Sequence, residues 1–195
     1  MKRLLYKKQF KDRNKIIDTF ECDTCDYAYS EISLGPQQNK NVVAICFNLG
    51  KPTGEEIANL DNTRRNIRDA IENENWTVGK LITVDLITTR IAKSDIKGMT
   101  FNNLVGINNL ENILDAIKCA DYIILAWGNI YDDIFKDYKV KVQFKHYLDK
   151  IYDEIESRTD NVYVFGLNKS ALPLHPARIS EKRLIKFKLN QLLFI

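Results

Sequence analysis

Two histidines occur among the 195 residues, and one of them, His175, sits in LNKSALPLHPARIS (167–180), between Pro173 and Pro176 and just ahead of Arg178. An imidazole on so stiff a backbone is either a surface side chain or one placed to touch a substrate. Three other short stretches carry polar or aromatic groups of interest: CFNLG (46–50) with Asn48, DLITTR (85–90) with Asp85 and Arg90, and AWGN (126–129). Each has a plain structural alternative. Asn48 suits a turn, Asp85 and Arg90 suit a loop-steadying ion pair, and Trp127 suits a core. The familiar catalytic signatures are missing. There is no G-x-x-x-x-G-K-[ST] phosphate loop, no G-x-G-x-x-G fingerprint, no G-x-S-x-G nucleophile and no H-E-x-x-H metal pair. A hydrolase built from these residues has to work through a positioned water and an electrophile.

The elements that must position these groups alternate in period. NVVAICFNL (41–49), KLITVDLIT (80–88), DYIILAWG (121–128) and NVYVFGL (161–167) are strand-length apolar runs, the pattern of strands buried on both faces. Between them, 60–76, 108–120 and 138–157 carry apolar residues at helical spacing, with Asp61, Asn62 or Thr63 as a candidate N-cap for the first. A Lys- and Leu-rich stretch, 180–193, predicts a closing helix. The first 40 residues are irregular, with a helix or an antiparallel pair at the sheet edge as the two options. Four buried strands separated by helices predict one α/β domain over 1–195: a three-layer α/β/α sandwich around a central, mainly parallel four-stranded sheet. Ligands of such sheets bind beyond the carboxyl ends of the strands. All four stretches above lie there, at 48–54, 85–90, 127–129 and 166–180.

Bulk properties bound the partners. A net charge of +3 permits nucleic-acid binding without requiring it, and the lysines and arginines cluster at 2–15 and 178–188. No apolar run approaches the roughly 20 residues of a membrane span, and the basic start does not form a signal peptide, so a cytoplasmic protein is expected. Cys46 and Cys119 stand in apolar segments and read as buried thiols. Cys22 and Cys25 form a lone C-x-x-C with no second pair to complete a four-ligand site, so no metal is expected.

Taken in order, these residues resemble the uracil-DNA glycosylase superfamily. FNLG (47–50) is similar to the Ile-Asn-Pro-Gly water-positioning motif of its mismatch-specific branch, with Leu49 in place of Pro. ILAWGN (124–129) is similar to the Leu-Leu-Trp-Gly strand end of the uracil-specific branch. HPARIS (175–180) resembles the His-Pro-Ser-Pro-Leu-Ser loop, with Ala177 and Arg178 in place of Ser-Pro. The chain is more similar still to an uncharacterised bacterial and phage domain family with Asn-Pro-Ser, Asp-Asp-Pro-Thr-x-Arg-Arg, Asn-Leu-x-x-x-Arg, Trp-Gly and His-Pro motifs. Here these become Asn48, LDNTRR (60–65), DLITTR, AWG and LHP, over about 41–180.

The resemblance implies a glycosylase-like fold and hydrolysis of the N-glycosidic bond of a flipped, modified base in DNA. Asn48 would hold the water and His175 would donate to the leaving base. Phe47, Gly50, Asp85, Arg90, Trp127, Gly128 and Asn129 would contact the substrate. Lys169, Arg178, Lys182 and Lys186 would hold DNA phosphates. It implies no metal and no cofactor, DNA as partner, a monomer, and a role in repair or in defence against phages. Two other readings of the same fold stand beside it: a non-catalytic binder of nucleotides or nucleic acid, and a hydrolase or transferase acting on a free nucleoside or nucleotide.

Overall fold

The computed structural model describes residues 6–12, 15–21, 29–35, 39–48, 58–59, 61–89, 96, 98–129 and 137–191. Its centre is β4 (Asn41–Cys46), whose apolar residues are buried toward both faces of the sheet. β6 (Lys80–Asp85) and β7 (Tyr122–Ala126) flank it in parallel, with Cys46 opposite Asp85 on one side and opposite Ala126 on the other. β8 (Val162–Val164) continues in parallel beside β7. The four strands read from the apolar runs are therefore neighbours, in the order β6-β4-β7-β8. The chain leaves β4 to one side and then returns to the other, so the crevice beyond the carboxyl end of β4 is a topological switch point.

The sheet does not stop at four strands. Among the first 40 residues the described segments take the antiparallel option: β1 (Tyr6–Asp12), β2 (Lys15–Glu21) and β3 (Tyr29–Ser33) form a meander that joins β6 through β3. β5 (Ala58–Asn59) pairs with β1 and β9 (Ile185–Lys186) pairs with β8, giving a mixed sheet of nine strands among the described residues. The fold class is α/β.

Alternation along the strands divides the core. Val42, Ala44 and Cys46 pack with Ile67, Ala70 and Ile71 of α1 (Asn62–Asn73). Val43, Ile45 and Phe47 pack on the other face with Ile113, Ala116 and Ile117 of α3 (Asn109–Lys118) and with Phe144, Leu148 and Ile151 of α4 (Tyr138–Arg158). A one-turn helix, α2 (Phe101–Leu104), precedes α3 and is capped by Thr100. Helices α1 and α3 fall within the stretches that their periodicity marks, and α4 runs one residue past its own, to Arg158.

The helix expected over 180–193 does not form among its described residues, 180–191. Residues 181–184 are irregular, β9 comes next, and Leu189–Gln191 make one 3-10 turn. Leu184, Phe187 and Leu189 are buried whereas Ile185, Lys186 and Lys188 are exposed. A helix would have put Lys188 on the same face as Leu184. The exposed edge of β8 takes this segment instead, with the Phe187 amide donating to the Val162 carbonyl at 2.8 Å. Among the described residues no helix is long and apolar enough to cross a membrane.

Candidate functional site

The site begins where β4 and β6 end side by side. Backbone pairing runs past the strands: the Leu86 and Ile87 amides donate to the Cys46 and Phe47 carbonyls, each at 2.9 Å, which fixes Asn48 against the chain leaving β6. From the α3/α4 face, the Asn109 side-chain amide donates to the Asp85 carbonyl oxygen and to the Tyr147 hydroxyl, both at 2.8 Å. Burial pushes the Tyr147 phenol far up, so it stays protonated. Val84 and Leu86 enter the α3/α4 core, and the intervening Asp85 turns its side chain to the α1 face beside Cys46 and Thr83. Asp85 is only 2% exposed. A carboxylate is costly in that position and has to be compensated by polar neighbours or by a ligand.

The first turn of α1 forms the facing wall. Asp61 caps the helix by accepting from the Arg64 amide at 3.0 Å, and its second oxygen lies 3.0 Å from Arg64 Nε. Arg64 is 6% exposed, an inward-facing guanidinium one turn before Ile67 and Arg68. Asn48, Asp61, Arg64, Thr83, Asp85 and His175, with Cys46, Asn62, Thr63 and Ala177, line one cleft of about 290 Å³. Burial, helped by the negative charges of Asp85 and Asp61, pushes the Cys46 thiol well up. It is therefore a neutral wall group at physiological pH and not a nucleophile.

His175 reaches this cleft through a short hairpin. The Leu174 amide donates to the Gly166 carbonyl at 2.9 Å, Leu167 bridges to Pro173, and the Asn168 side chain accepts from the Ser170 and Leu172 amides. The chain thereby returns to the carboxyl end of β7. Gly128 has φ +76°, and a Cβ placed on it would lie 2.9 Å from His175 Cβ, so the position needs glycine on two counts. His175 caps the 3-10 turn Pro176–Arg178, its Nδ1 accepting from the Ala177 amide at 3.2 Å. A neutral imidazole that accepts at Nδ1 carries its proton on Nε2. The ring is thus prepared as a donor.

Helix α1 also anchors the chain beyond His175. Asn66 Nδ2 donates to the Pro176 carbonyl at 2.7 Å, Asn73 Nδ2 to the Lys182 carbonyl at 3.1 Å, and the Leu184 amide to Glu74 Oε1 at 3.1 Å. Lys182 forms an ion pair with Asp69, which also accepts from Arg68 at 2.9 Å. Burial raises the Asp69 carboxyl, but the hydrogen bonds from Lys182 and Arg68 outweigh it and hold the group below its ordinary value.

The structure brings Asn48, Asp85 and His175 to one cleft and sets Gly128 against His175. It separates others. Phe47 and Trp127 point into the α3/α4 core, Trp127 2% exposed against Tyr152, and they do not line the cleft. The reason is the two-residue period: with Cys46 and Ala126 on the α1 face, the next residue of each strand must take the other. The Trp127 indole N–H has no hydrogen-bond partner among the described residues. Asn129 comes directly after Gly128, half-buried, and Lys169 is exposed on the hairpin turn. Gly50, Arg90, Cys22, Cys25 and the Arg178 side chain lie outside the described residues.

Two lysines depart from the expected phosphate-binding row. Lys182 is engaged with Asp69. Lys186 stands opposite Tyr163 on β9, with Nζ 3.5 Å from Asn161 Oδ1 at the amino end of β8, far from the cleft along the strand direction. A larger cavity of about 840 Å³ opens at that same end, lined by Glu156, Asp160, Lys186 and Phe187 among others, without any of the groups that converge on His175. Cys119 is exposed rather than buried, because it terminates α3 instead of lying within it. His146 stands on α4, 3.9 Å from Asp149 and largely exposed.

Asp61, Arg64, Thr83 and Cys46 were not marked as site residues by sequence reasoning. The available signal was LDNTRR, where a capping Asp three residues ahead of an Arg on the apolar stripe of α1 puts both at the switch point. No curated protein and no solved structure matches the chain. A family model described as "Protein of unknown function (DUF1643)" matches residues 33–177, which include every described residue of the cleft. Most of the chain is covered by that match, and the chain belongs to this family.

Proposed function

We propose that this protein hydrolyses an N-glycosidic bond, with a flipped base of DNA as the first substrate to test, on a fold of the uracil-DNA glycosylase type with β6-β4-β7-β8 as its parallel core. The observation that carries the reading is the meeting of Asn48 and His175, whose Nδ1 accepts from the Ala177 amide, in one cleft at the switch point. Cleavage leaves an oxocarbenium-like sugar and an anionic base. The Nε2–H donates to the base as charge develops there, and the Asn48 amide holds the attacking water. Asp85, on the cleft wall, favours the cationic sugar. The buried Cys46 thiol supplies no rival nucleophile. In this reading the protein works in the cytoplasm, in repair or in defence against phages.

A second reading, a hydrolase of free nucleosides or nucleotides, is favoured by the lysines. Lys182 is paired with Asp69 and Lys186 lies at the other end of the sheet, so a basic track beside the cleft has Lys169 and Arg178 left to build it. Incubation with a panel of modified-base DNAs and of the matching free nucleosides, followed by alkaline cleavage of abasic sites and by detection of released base, separates the two. Release of base from neither panel refutes both.

A further inference from the structure

We propose that Thr83 is a further ligand-binding residue of the cleft, a hydroxyl donor oriented by Ser30 of the N-terminal meander. The ligand then turns a hydrogen-bond acceptor toward it, a base carbonyl oxygen or an unprotonated ring nitrogen. The inference rests on the assignment of the cleft to a base and names the kind of atom that the base carries there.

Ser30 on β3 stands directly opposite Thr83 on β6 in the antiparallel pair, so both side chains leave the same face of the sheet. Thr83 borders the cleft beside Cys46 and Asp85, and Ser30 lies behind it, with no exposed surface. The two hydroxyls are hydrogen-bonded to each other, and Thr83 itself is 2% exposed. Among the described residues neither side chain has a second partner. A hydroxyl carries one donor hydrogen and two acceptor positions. The pair therefore holds two hydrogens, and the bond between them uses one. Were Thr83 the donor, the Ser30 hydrogen would be stranded where no water reaches, at the full desolvation cost of an unmade bond. With Ser30 as the donor, the spare hydrogen belongs to the member that borders the cleft, where a water or a ligand accepts it. Burial thus sets the direction of the pair, from Ser30 to Thr83 to the ligand.

The test is equilibrium binding of deoxyuridine, deoxyinosine, deoxyguanosine and deoxyadenosine to the full chain, with urea melts alongside. Wild type is compared with Thr83→Val, Thr83→Ser and the double variant Ser30→Ala/Thr83→Val. Thr83→Val should weaken the nucleoside bound best by about threefold to tenfold, the worth of one neutral hydrogen bond, and Thr83→Ser should keep it. Thr83→Val also strands the Ser30 hydrogen and lowers stability. The double variant replaces both hydroxyls by apolar groups, so it should regain stability without regaining binding. A merely structural pair would return both together. Should Thr83→Val not fold, the double variant and Thr83→Ser carry the comparison. Undiminished binding by folded Thr83→Val, or recovered binding in the double variant, overturns the proposal and leaves the base reading standing. Binding of none of the four nucleosides by the wild type overturns both. Binding that weakens in Thr83→Val and stays weak in the double variant, with no base released by the wild type from DNA or nucleosides, would remove the excision reading and leave this inference.

Discussion

His175 illustrates how much of a residue's role depends on a single hydrogen atom. Because Nδ1 is occupied by the Ala177 amide, the ring meets the cleft as a donor without having to be protonated. In the glycosylase reading proposed above, His175→Ala should lower the single-turnover rate of base release by on the order of 10²–10³-fold, the scale for removing one preorganised donor to a developing oxyanion. Binding should change far less, and a circular-dichroism melt would establish that the variant is folded. A rate unchanged in the folded variant would make His175 a structural cap only. Gly128 gives a complementary test. Gly128→Ala adds a methyl at 2.9 Å from His175 Cβ and forces a left-handed φ, so a loss of about 1–3 kcal/mol in stability is expected, together with displacement of the imidazole. Chemical denaturation checks the first and the rate of base release the second. Asn48 and His175 were legible because each stands beyond an apolar run of strand length. The opposite fate of Phe47 and Trp127 was not, since a strand buried on both faces shows no polar alternation from which to read the direction of a side chain.

At the scale of elements, α1 is the part on which the site depends. Its inner face meets the sheet core, its first turn supplies Asp61 and Arg64, and its outer edge holds the segment from Pro176 to Leu184. Asn66→Ala removes the bond to the Pro176 carbonyl, with an expected cost of about 1 kcal/mol and a fall in turnover rate as the His175 segment loosens. Restored turnover in Asn66→Gln would not be expected, because the longer side chain cannot keep the 2.7 Å contact. The Asp69–Lys182 pair should give a pH signature. The folded-state value of Asp69 lies below the unfolded one, so its stabilising contribution is complete above the ordinary carboxylate value of about 3.9 and is lost as pH falls through the folded value. Urea melts of wild type and Asp69→Asn should differ at neutral pH and converge in acid. Apolar spacing marked α1, α3 and α4, yet the residue types pointed to a helix where β9 forms. Lys and Leu favour helices in isolation, and only the unpaired edge of β8, a tertiary demand, overrides that preference.

For the whole molecule, the distribution of charge decides how it would meet a polyanion. Lys186 sits at the amino end of the sheet, so Lys186→Ala should leave the salt dependence of DNA binding unchanged. Arg178→Ala, in the turn directly after His175, should reduce the log–log salt slope by about one. A slope altered by Lys186 and not by Arg178 would move the DNA-facing surface to the opposite end of the sheet. The gross architecture of parallel strands and covering helices was readable from periodicity, whereas the edge meander of β1 to β3 was read only as one of two options, because strand pairing at a sheet edge leaves little periodic trace in a sequence so rich in charge. The tie between Asn66 and Pro176 spans 110 positions of the chain. Such a contact forms only after the intervening strands have found their neighbours, since loop closure over that distance yields nothing until both ends are already in place. On refolding from urea, the base release proposed for this cleft should accordingly recover later than the far-ultraviolet signal, leaving an interval in which the secondary structure is complete and the cleft is silent.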